Sequence, residues 1–555
     1  MGQEGVIPPP RTEASATYAG KVAYTKSNPI LDSKTQRRAS DNPFMKKQID
    51  HSRFIKVSSI LLLFLTGPLG HAASKPNIIL ILLDDMGYSD LGCFGSEIET
   101  PNIDKLAQNG IRFTHFTNNA KCETTRASLV SGRTHTEIAN NKSKNVVTIP
   151  ENLARGGYQN FMVGKWHIFD KPWQRGFERY FGFTEGATNF FTGESGGGNG
   201  KYTYFLDDVP FQIPDNFYST DAFTDYAIQF IDERKKDHPF FMYVAHNAPH
   251  YPLQAPQKDV MKYRGKYKEG WEKLRESRFK RMKELKVIPA DMTLSKPEED
   301  VRSWNSLDEK TRDRMDLIMA TYAAMIDRVD QQLGRLIEKL ENENIFDDTL
   351  ILFLSDNGAC PFDRTKKETL DNNYMPWDER SFWCYPKEWA NACNTPFRMY
   401  KQNQHEGGIA TSMVAHWPNG ITVPGTFNRQ RGHLIDFHPT FRELAEVDYP
   451  ADQAKLLLPM RGISLVPSFK GEKRKEHKFY YQNFSNQKTA LVIGKWKLVN
   501  NKHLYDIETD RIESNDLSTS NPEKFQFMVG EFSKYDQIYN DGRVALKAER
   551  SKNKK

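Results

Sequence analysis

The chain has 555 residues with 77 Lys and Arg against 71 Asp and Glu, a formal net charge of +6 at pH 7. The excess sits at the ends: residues 1–74 hold ten basic and five acidic side chains, Asp541–Lys555 six and two, and the body between is near −3. A near-neutral body argues against a nucleic-acid partner, and a length beyond the roughly 250–300 residues at which one core stops growing excludes a single small domain.

The N-terminal stretch is set aside before the fold is read. Residues 1–44, with Pro8-Pro9-Pro10 and no hydrophobic period, form an upstream extension, and the natural start is placed at Met45. Met45-Lys-Lys, Arg53 and Lys56 make a basic n-region, Val57 to Leu65 an apolar h-region and Gly70-His71-Ala72 a cleavage site. That is a secretory signal, too short to span a bilayer, and it implies an exported chain, periplasmic or extracellular. Export allows disulfides among Cys93, Cys122, Cys360, Cys384 and Cys393. The odd count fits one chemically special thiol and up to two bridges, with Cys384 and Cys393 close enough in sequence to pair.

From residue 75, strands and helices alternate. Asn77 to Leu83 is a continuous Ile/Leu run, as in a strand buried on both faces, and it ends at Asp84-Asp85. Thr100 and Pro101 open a helix that Gly110 stops before the strand-like Ile111-Arg-Phe-Thr, one βαβ-type unit. Tyr158 to Lys165 reads as a strand, Ala222 to Lys236 as a helix feeding the strand Phe240 to Ala245, Asp316 to Asn344 as a long helix and Thr349 to Leu354 as a strand delivering Asp356-Asn357. Gly193 to Gly200 lacks the Lys-Ser/Thr of a nucleotide loop and reads as flexible, and Lys258 to Lys286 as a solvated helical insertion. After Pro450 come short strands at Lys478–Phe484, Lys488–Ile493, Lys495–Val499 and His503–Ile507, a helix from Pro522 to about Gln537, and a frayed basic tail at 541–555. The expected domains are therefore 75–449 and 450–540.

Acidic and polar groups recur at the carboxyl ends of strands, the edge where open α/β sheets bind ligands. Asp84 and Asp85 with Asp356 and Asn357 supply an all-oxygen donor set, which selects Ca²⁺ or Mg²⁺ over zinc. Cys122 stands near a helix start with Arg126 one turn on, where free N–H groups attract an anion. Lys165 and His167 alternate on an extended segment and share a face. With His250, in a Pro-flanked loop, and Lys401, five residues before Glu406-Gly-Gly, they make a cationic pocket. Each residue alone has a duller reading: Asp84-Asp85 as a turn, Cys122 as a buried small hydrophobe, either His as structural. His246 is placed outside the site, and His115 and His135 are assigned to loop support around Cys122. Phe181, Phe183, Phe190 and Phe191 are either a sugar-stacking loop or, more commonly, core.

Taken in order, Asp84-Asp85, Cys122-Glu-Thr-Thr-Arg126 with Gly132-Arg133, Gly164-Lys165-Trp166-His167, Ala248-Pro249-His250, Asp356-Asn357-Gly358 and Lys401 with Glu406-Gly407-Gly408 resemble the type I sulfatases, formylglycine-dependent members of the alkaline phosphatase superfamily. The resemblance spans nearly all of the chain after residue 75. It implies an α/β fold with a large, mostly parallel mixed sheet flanked by helices, plus a small C-terminal antiparallel-sheet domain with one helix. It implies calcium at Asp84, Asp85, Asp356 and Asn357, and oxidation of Cys122 to formylglycine (3-oxoalanine) by a formylglycine-generating maturation enzyme. The aldehyde hydrate then attacks sulfur with Asp356 as base; Arg126, Lys165 and Lys401 hold the sulfate oxygens, His250 protonates the leaving oxygen and His167 assists collapse to aldehyde. Thr124 departs from the Pro or Ala usual two residues after the cysteine, which bears on maturation and not on the fold. The expected substrate is a sulfated small molecule or glycan. The competing readings are a phosphoester or phosphonate hydrolase, separable by kcat/KM on matched sulfate and phosphate esters, and an unmodified, non-catalytic sulfated-glycan-binding protein.

Overall fold

The computed structural model describes residues 75–552 apart from 141–145, 169, 196–203, 451–459, 477 and 483–487. The proposed start, signal segment and cleavage site, and most of the Gly193–Gly200 loop, lie outside the described residues.

Strands β1 (Asn77–Leu83), β2 (Ile111–Thr117), β3 (Gln159–Lys165), β4 (Arg179–Phe183), β5 (Tyr204–Leu206), β6 (Val209–Pro210), β7 (Phe240–Ala245), β8 (Thr349–Ser355), β9 (Ala410–His416), β10 (Thr426–Asn428) and β11 (Gly432–His433) build one 11-stranded sheet. Its order is β10-β2-β9-β8-β1-β7-β3-β4-β5-β6, with β11 on β2. The centre is parallel: β1 pairs with β7 and β8, and β3 with β7 and β4. β9 runs antiparallel between β8 and β2. β1 and β2 thus point the same way but are separated by β8 and β9, so the expected βαβ unit does not pair its own strands.

The Ile/Leu run of β1 has period-2 consequences on both faces. Ile79, Ile81 and Leu83 enter one core, with Met319, Tyr322 and Ala323 of the helix Glu309–Asn342, which starts earlier than expected because Asp308 accepts from Thr311 N–H at 2.7 Å. Ile78, Leu80 and Leu82 enter the other core, with Leu153, Phe437 and Phe441. Two buried faces explain why this strand reads as unbroken apolar sequence.

The insertion expected to be solvated forms two helices, Gln257–Tyr263 and Gly270–Glu284, and the second is anchored. Trp271, Arg275, Arg278 and Met282 are buried, and Arg278 bonds Asp90 at 2.5 Å and Glu97 at 2.8 Å. Charge density alone hid this, because the partners of the buried arginines, Asp90 and Glu97 for Arg278 and Ser295 for Arg275, lie far away in sequence. All five cysteines are free and buried. Cys384 and Cys393 are held apart by the helix Lys387–Cys393, so the pairing suggested by their short spacing is not made.

A second sheet, β12 (Phe479–Gln482), β13 (Thr489–Ile493), β14 (Trp496–Val499) and β15 (His503–Asp506), is an antiparallel meander. One face packs Leu491, Leu498 and Leu504 on Met528 and Phe532 of the helix Pro522–Lys552, which runs through the segment expected to fray. The other face packs Tyr481, Val492 and Val499 with Ala120 and Ile409 of the large-sheet region. Both sheets belong to one compact unit.

A buried ionic knot joins them. Glu406 accepts from Lys497 at 3.0 Å, Arg431 at 3.2 Å and Arg511 at 2.9 Å, and its N–H donates to Glu513 at 2.7 Å. Burial raises the Glu406 pKa, and the charges of Arg431, Lys497 and Arg511 outweigh it, so the carboxyl lies well below its ordinary value. Removing one partner of such a cluster strands the other charges. Glu406→Gln is expected to lose about 3 kcal/mol of stability, read in urea unfolding as a lower midpoint at unchanged m-value; an unchanged midpoint would refute the knot's structural role.

Candidate active site

Register converges the predicted residues on one sheet edge. Leu83 pairs with Ser355, so Asp84-Asp85 and Asp356-Asn357 leave adjacent strands side by side. Lys165 closes β3, and β7 ends at Ala245 and leads to His250. Asp84 N–H donates to Ala248 O at 3.0 Å, which ties the His250 loop to β1. Asp85 holds a left-handed backbone, φ 70°, the strained conformation found at functional turns. The glycines of two motifs meet: a Cβ on Gly358 would lie 1.9 Å from the Gly407 carbonyl oxygen, and Gly358 N–H donates to Gly408 O at 3.1 Å.

Buried charges fill this edge. Lys165 ion-pairs with Asp84; Lys401 meets Asp85 Oδ1 at 2.5 Å and Asn357 Nδ2 donates to the same oxygen at 2.6 Å. Arg126 clamps Asp356 Oδ2 through Nε at 3.0 Å and Nη2 at 2.9 Å, and its Nη1 donates to Lys165 O at 2.9 Å. Burial pushes the Asp84 pKa up, but Lys165, His250, Arg126 and Lys401 outweigh it and the carboxyl lies far below its ordinary value. Asp356 moves the other way, raised by burial and then by the Asp84 charge.

Three buried oxygens of the predicted ligands, Asp84 Oδ1, Asp85 Oδ2 and Asn357 Oδ1, make no hydrogen bond. Orphan acceptors at such depth are costly unless something satisfies them, and oxygen-only donors suit a hard divalent cation. The residues therefore fit the expected ion. His250 lies at the rim of this set: donor atoms of Asp84, Asp85 and His250 fall within 4.8 Å of one another, with His250 Nε2 3.5 Å from Asp85 Oδ2.

Cys122 is the first residue of the helix Cys122–Ser131, whose N-cap Lys121 offers no side-chain cap bond. It lines a cleft of about 630 Å³ with His167, His250, Lys401, Tyr251 and Phe382, with Lys121, Arg364 and Lys366 at its walls. Lys401 reaches it because its N–H bonds Ala359 O at 3.1 Å and the next N–H bonds Ala120 O at 2.6 Å. Arg126 and Lys165 do not line the cleft; they lie under it as fully buried ion pairs with Asp356 and Asp84. Thr124, the departure from the family pattern, is accommodated: its hydroxyl donates to Lys121 O at 2.8 Å.

His167 does not alternate with Lys165 on an extended strand. β3 stops at Lys165 and His167 turns into the cleft through a left-handed backbone, φ 53°. Burial, then Lys165 and Arg126, lower its pKa to about 3. His250 is lowered to about 4 by burial, with Asp85 and Asp84 opposing, and its Nδ1 lies 2.6 Å from Tyr251 O. His246 sits outside the cleft, buried with its ring 6.0 Å from Phe223. His115 is not beside Cys122: it lines a separate cleft under the second sheet. His135 starts the short helix His135–Asn140 that follows the Cys122 helix. Phe181, Phe183 and Phe190 are fully buried core residues, and Phe191 packs against Tyr218.

Sequence reasoning missed several contributors. Thr125 Oγ1 donates to Asp356 O at 2.7 Å, fixing the Cys122 helix to the β8 edge. Asn119 Nδ2 donates to Thr124 O at 3.1 Å and to Ser128 Oγ at 2.7 Å. Tyr251, Arg364, Lys366 and Phe382 form the mouth, with Lys366 4.5 Å above the Phe382 ring. The Arg364-x-Lys366 spacing was the one available signal, and nothing local says that this loop folds over Cys122.

The sulfatase family model matches residues 76–447. An arylsulfatase of Klebsiella aerogenes is 33% identical over 431 residues, covering 71% of this chain and 92% of its own. An uncharacterised sulfatase of Schizosaccharomyces pombe is 31% identical over 529 residues, covering 84% and 94%. The solved structure of Ps i-CgsB in complex with k-i-k-neocarrahexaose aligns with a TM-score of 0.60 at 28% identity, over 83% of this chain and 92% of that one. Motif order, site geometry and these likenesses agree: the chain belongs to the sulfatase family, the sulfuric ester hydrolases.

Proposed function

We propose that this sulfatase is exported, that Cys122 is oxidised to formylglycine by a maturation enzyme, and that it cleaves a sulfate monoester on a sulfated carbohydrate with calcium, or magnesium in its place, at Asp84, Asp85, Asp356 and Asn357. The observation that carries the reading is the position of Cys122: at a helix N-terminus, in one cleft with His167, His250 and Lys401, beside carboxylates with orphan oxygens. A carbohydrate is favoured because Ps i-CgsB was solved with a carrahexaose, and because basic Arg364 and Lys366 and half-buried Tyr251 and Phe382 flank the cleft.

Oxidised Cys122 supplies a hydrated aldehyde with two hydroxyls, one to attack sulfur and one to release sulfate. The cation supplies Lewis-acid polarisation and a template. The chain's own groups do the rest. The N-terminal N–H groups of the Cys122 helix favour an anion at residue 122. Lys401 presents its ammonium from the wall, and Arg126 keeps Asp356 fixed beneath. His250 donates Nδ1–H to Tyr251 O, which turns Nε2 toward the cleft; handing a proton to the leaving oxygen from there requires the doubly protonated ring, a form that the negative charge of a bound sulfate ester favours. His167 lines the same cleft and can shuttle a proton at residue 122.

A thiol at residue 122 offers one nucleophilic atom and no second hydroxyl to expel sulfate. Peptide mass spectrometry of protein made with its maturation system is expected to show the aldehyde at residue 122, and Cys122→Ala is expected to lower kcat at least a thousandfold with the fold intact. Full activity with an unmodified thiol would overturn the mechanism, whereas an unmodified, inactive protein would favour the glycan-binding reading. Export predicts a mature chain beginning at Ala73; N-terminal sequencing of secreted protein that found residues 1–44 would overturn the Met45 start.

A further inference from the structure

We propose that a second cleft, built between the edge of the large sheet and the C-terminal sheet, binds a sulfated segment of a glycan chain away from Cys122. The proposal rests on the sulfatase reading above and extends it to a polyanionic substrate held at two places.

The cleft has a volume of about 580 Å³ and shares no lining residue with the catalytic one. Its walls come from distant pieces of sequence: His115 of β2, Val287–Met292 after the anchored insertion helix, Arg429–Arg431 before β11, Lys473–Glu476 before β12, and Arg511. Three cations that make no ion pair among the described residues, Arg429, Lys473 and Lys475, face two acids, Glu476 and Glu508, while Arg431 and Arg511 are engaged by Glu406 at 3.2 Å and 2.9 Å. Arg474 and Lys495 also line it but are engaged by Asp436 at 3.0 Å and Asp506 at 2.6 Å. Lys473 and Lys475 are exposed and make no ion pair among the described residues.

The second observation is unmet hydrogen-bonding capacity. Arg511 is 5% exposed; its Nε serves Glu406 and its plane packs 4.6 Å from the Phe397 ring centre, yet Nη2 makes no hydrogen bond. Arg474, 7% exposed, likewise leaves Nε unsatisfied. Both nitrogens lie beneath the cleft surface, so an anion's oxygens reach them only after the guanidinium shifts. His115 reports the same field: burial, then Arg511 and Arg431, push its pKa well below the ordinary value.

The rest of the lining selects the anion's carrier. Exposed Pro289 and half-buried Met292 give the lining an apolar contact for the C–H face of a sugar ring, with Val287 and Ile288 buried behind them. Phe479 is the lining's one Phe, Tyr or Trp and is 5% exposed, so no stacking platform for nucleic-acid bases is present.

The test is independent of turnover. A fluorescein-labelled dextran sulfate fragment is titrated into Cys122→Ala protein, whose nucleophile is gone whichever ester the wild type cleaves, and then into the same protein carrying Lys473→Glu and Lys475→Glu, with thermal unfolding as the fold check. Arg429→Glu provides an independent second variant. The Kd is expected to rise at least tenfold in the double charge reversal and several-fold in Arg429→Glu, with unsulfated dextran failing to compete. A Kd unchanged in both variants, or tighter binding of a single-stranded oligonucleotide of equal charge, would overturn the proposal.

Discussion

Charge compensation under the carboxyl edge of the sheet governs this structure. Asp84, Asp85 and Asp356 are each at most 1% exposed, as are Arg126 and Lys165, and Lys401 is 5% exposed. Each such ion removed from water would cost several kcal/mol if left alone. Only the parallel register of β1 with β8 and β7, and of β3 with β7, brings three carboxylates within reach of three cations drawn from positions 126, 165 and 401. The charges cancel, but the hydrogen bonds do not: three carboxylate and amide oxygens remain unsatisfied. A dication held there by Asp84, Asp85, Asp356 and Asn357 would give this edge a surplus of positive charge, the field that an anionic ester requires.

The second charged knot explains why the small sheet belongs to the same compact unit. Glu406 follows Lys401 by five residues, so fixing Glu406 to Lys497 and Arg511 fixes the loop that delivers Lys401 to the catalytic cleft. Arg511 and Arg431 reach from this knot to the wall of the second cleft. One buried glutamate therefore lies between Lys401 and the basic cleft, and the C-terminal sheet shapes both.

Much of this was legible because it is local. The β1 run, the strand-end carboxylates, the helix start at Cys122 and the glycines beside Asn357 and Glu406 carry short-range signatures, and the ordered motifs tied them to one family. What was illegible depends on long-range partners. The Arg278 pair with Asp90 and Glu97 looks like surface charge in sequence; His115 lies in a strand whose neighbours are β9, β10 and β11; His167 leaves its strand through a left-handed turn that alternation cannot foresee. Arg126 and Lys165 are expected to hold sulfate oxygens, and in this structure both pair with the carboxylates beneath the cleft, an arrangement that the sequence does not show.

The central claim is that the edge of β1 and β8 is a calcium site. The direct measurement is metal content per chain, by inductively coupled plasma mass spectrometry after chelation and calcium readdition, for wild type and Asp84→Ala, with circular dichroism to establish folding. The account predicts one calcium per wild-type chain, and loss of most of it with activity in the folded variant. Full calcium occupancy in folded Asp84→Ala protein would contradict it.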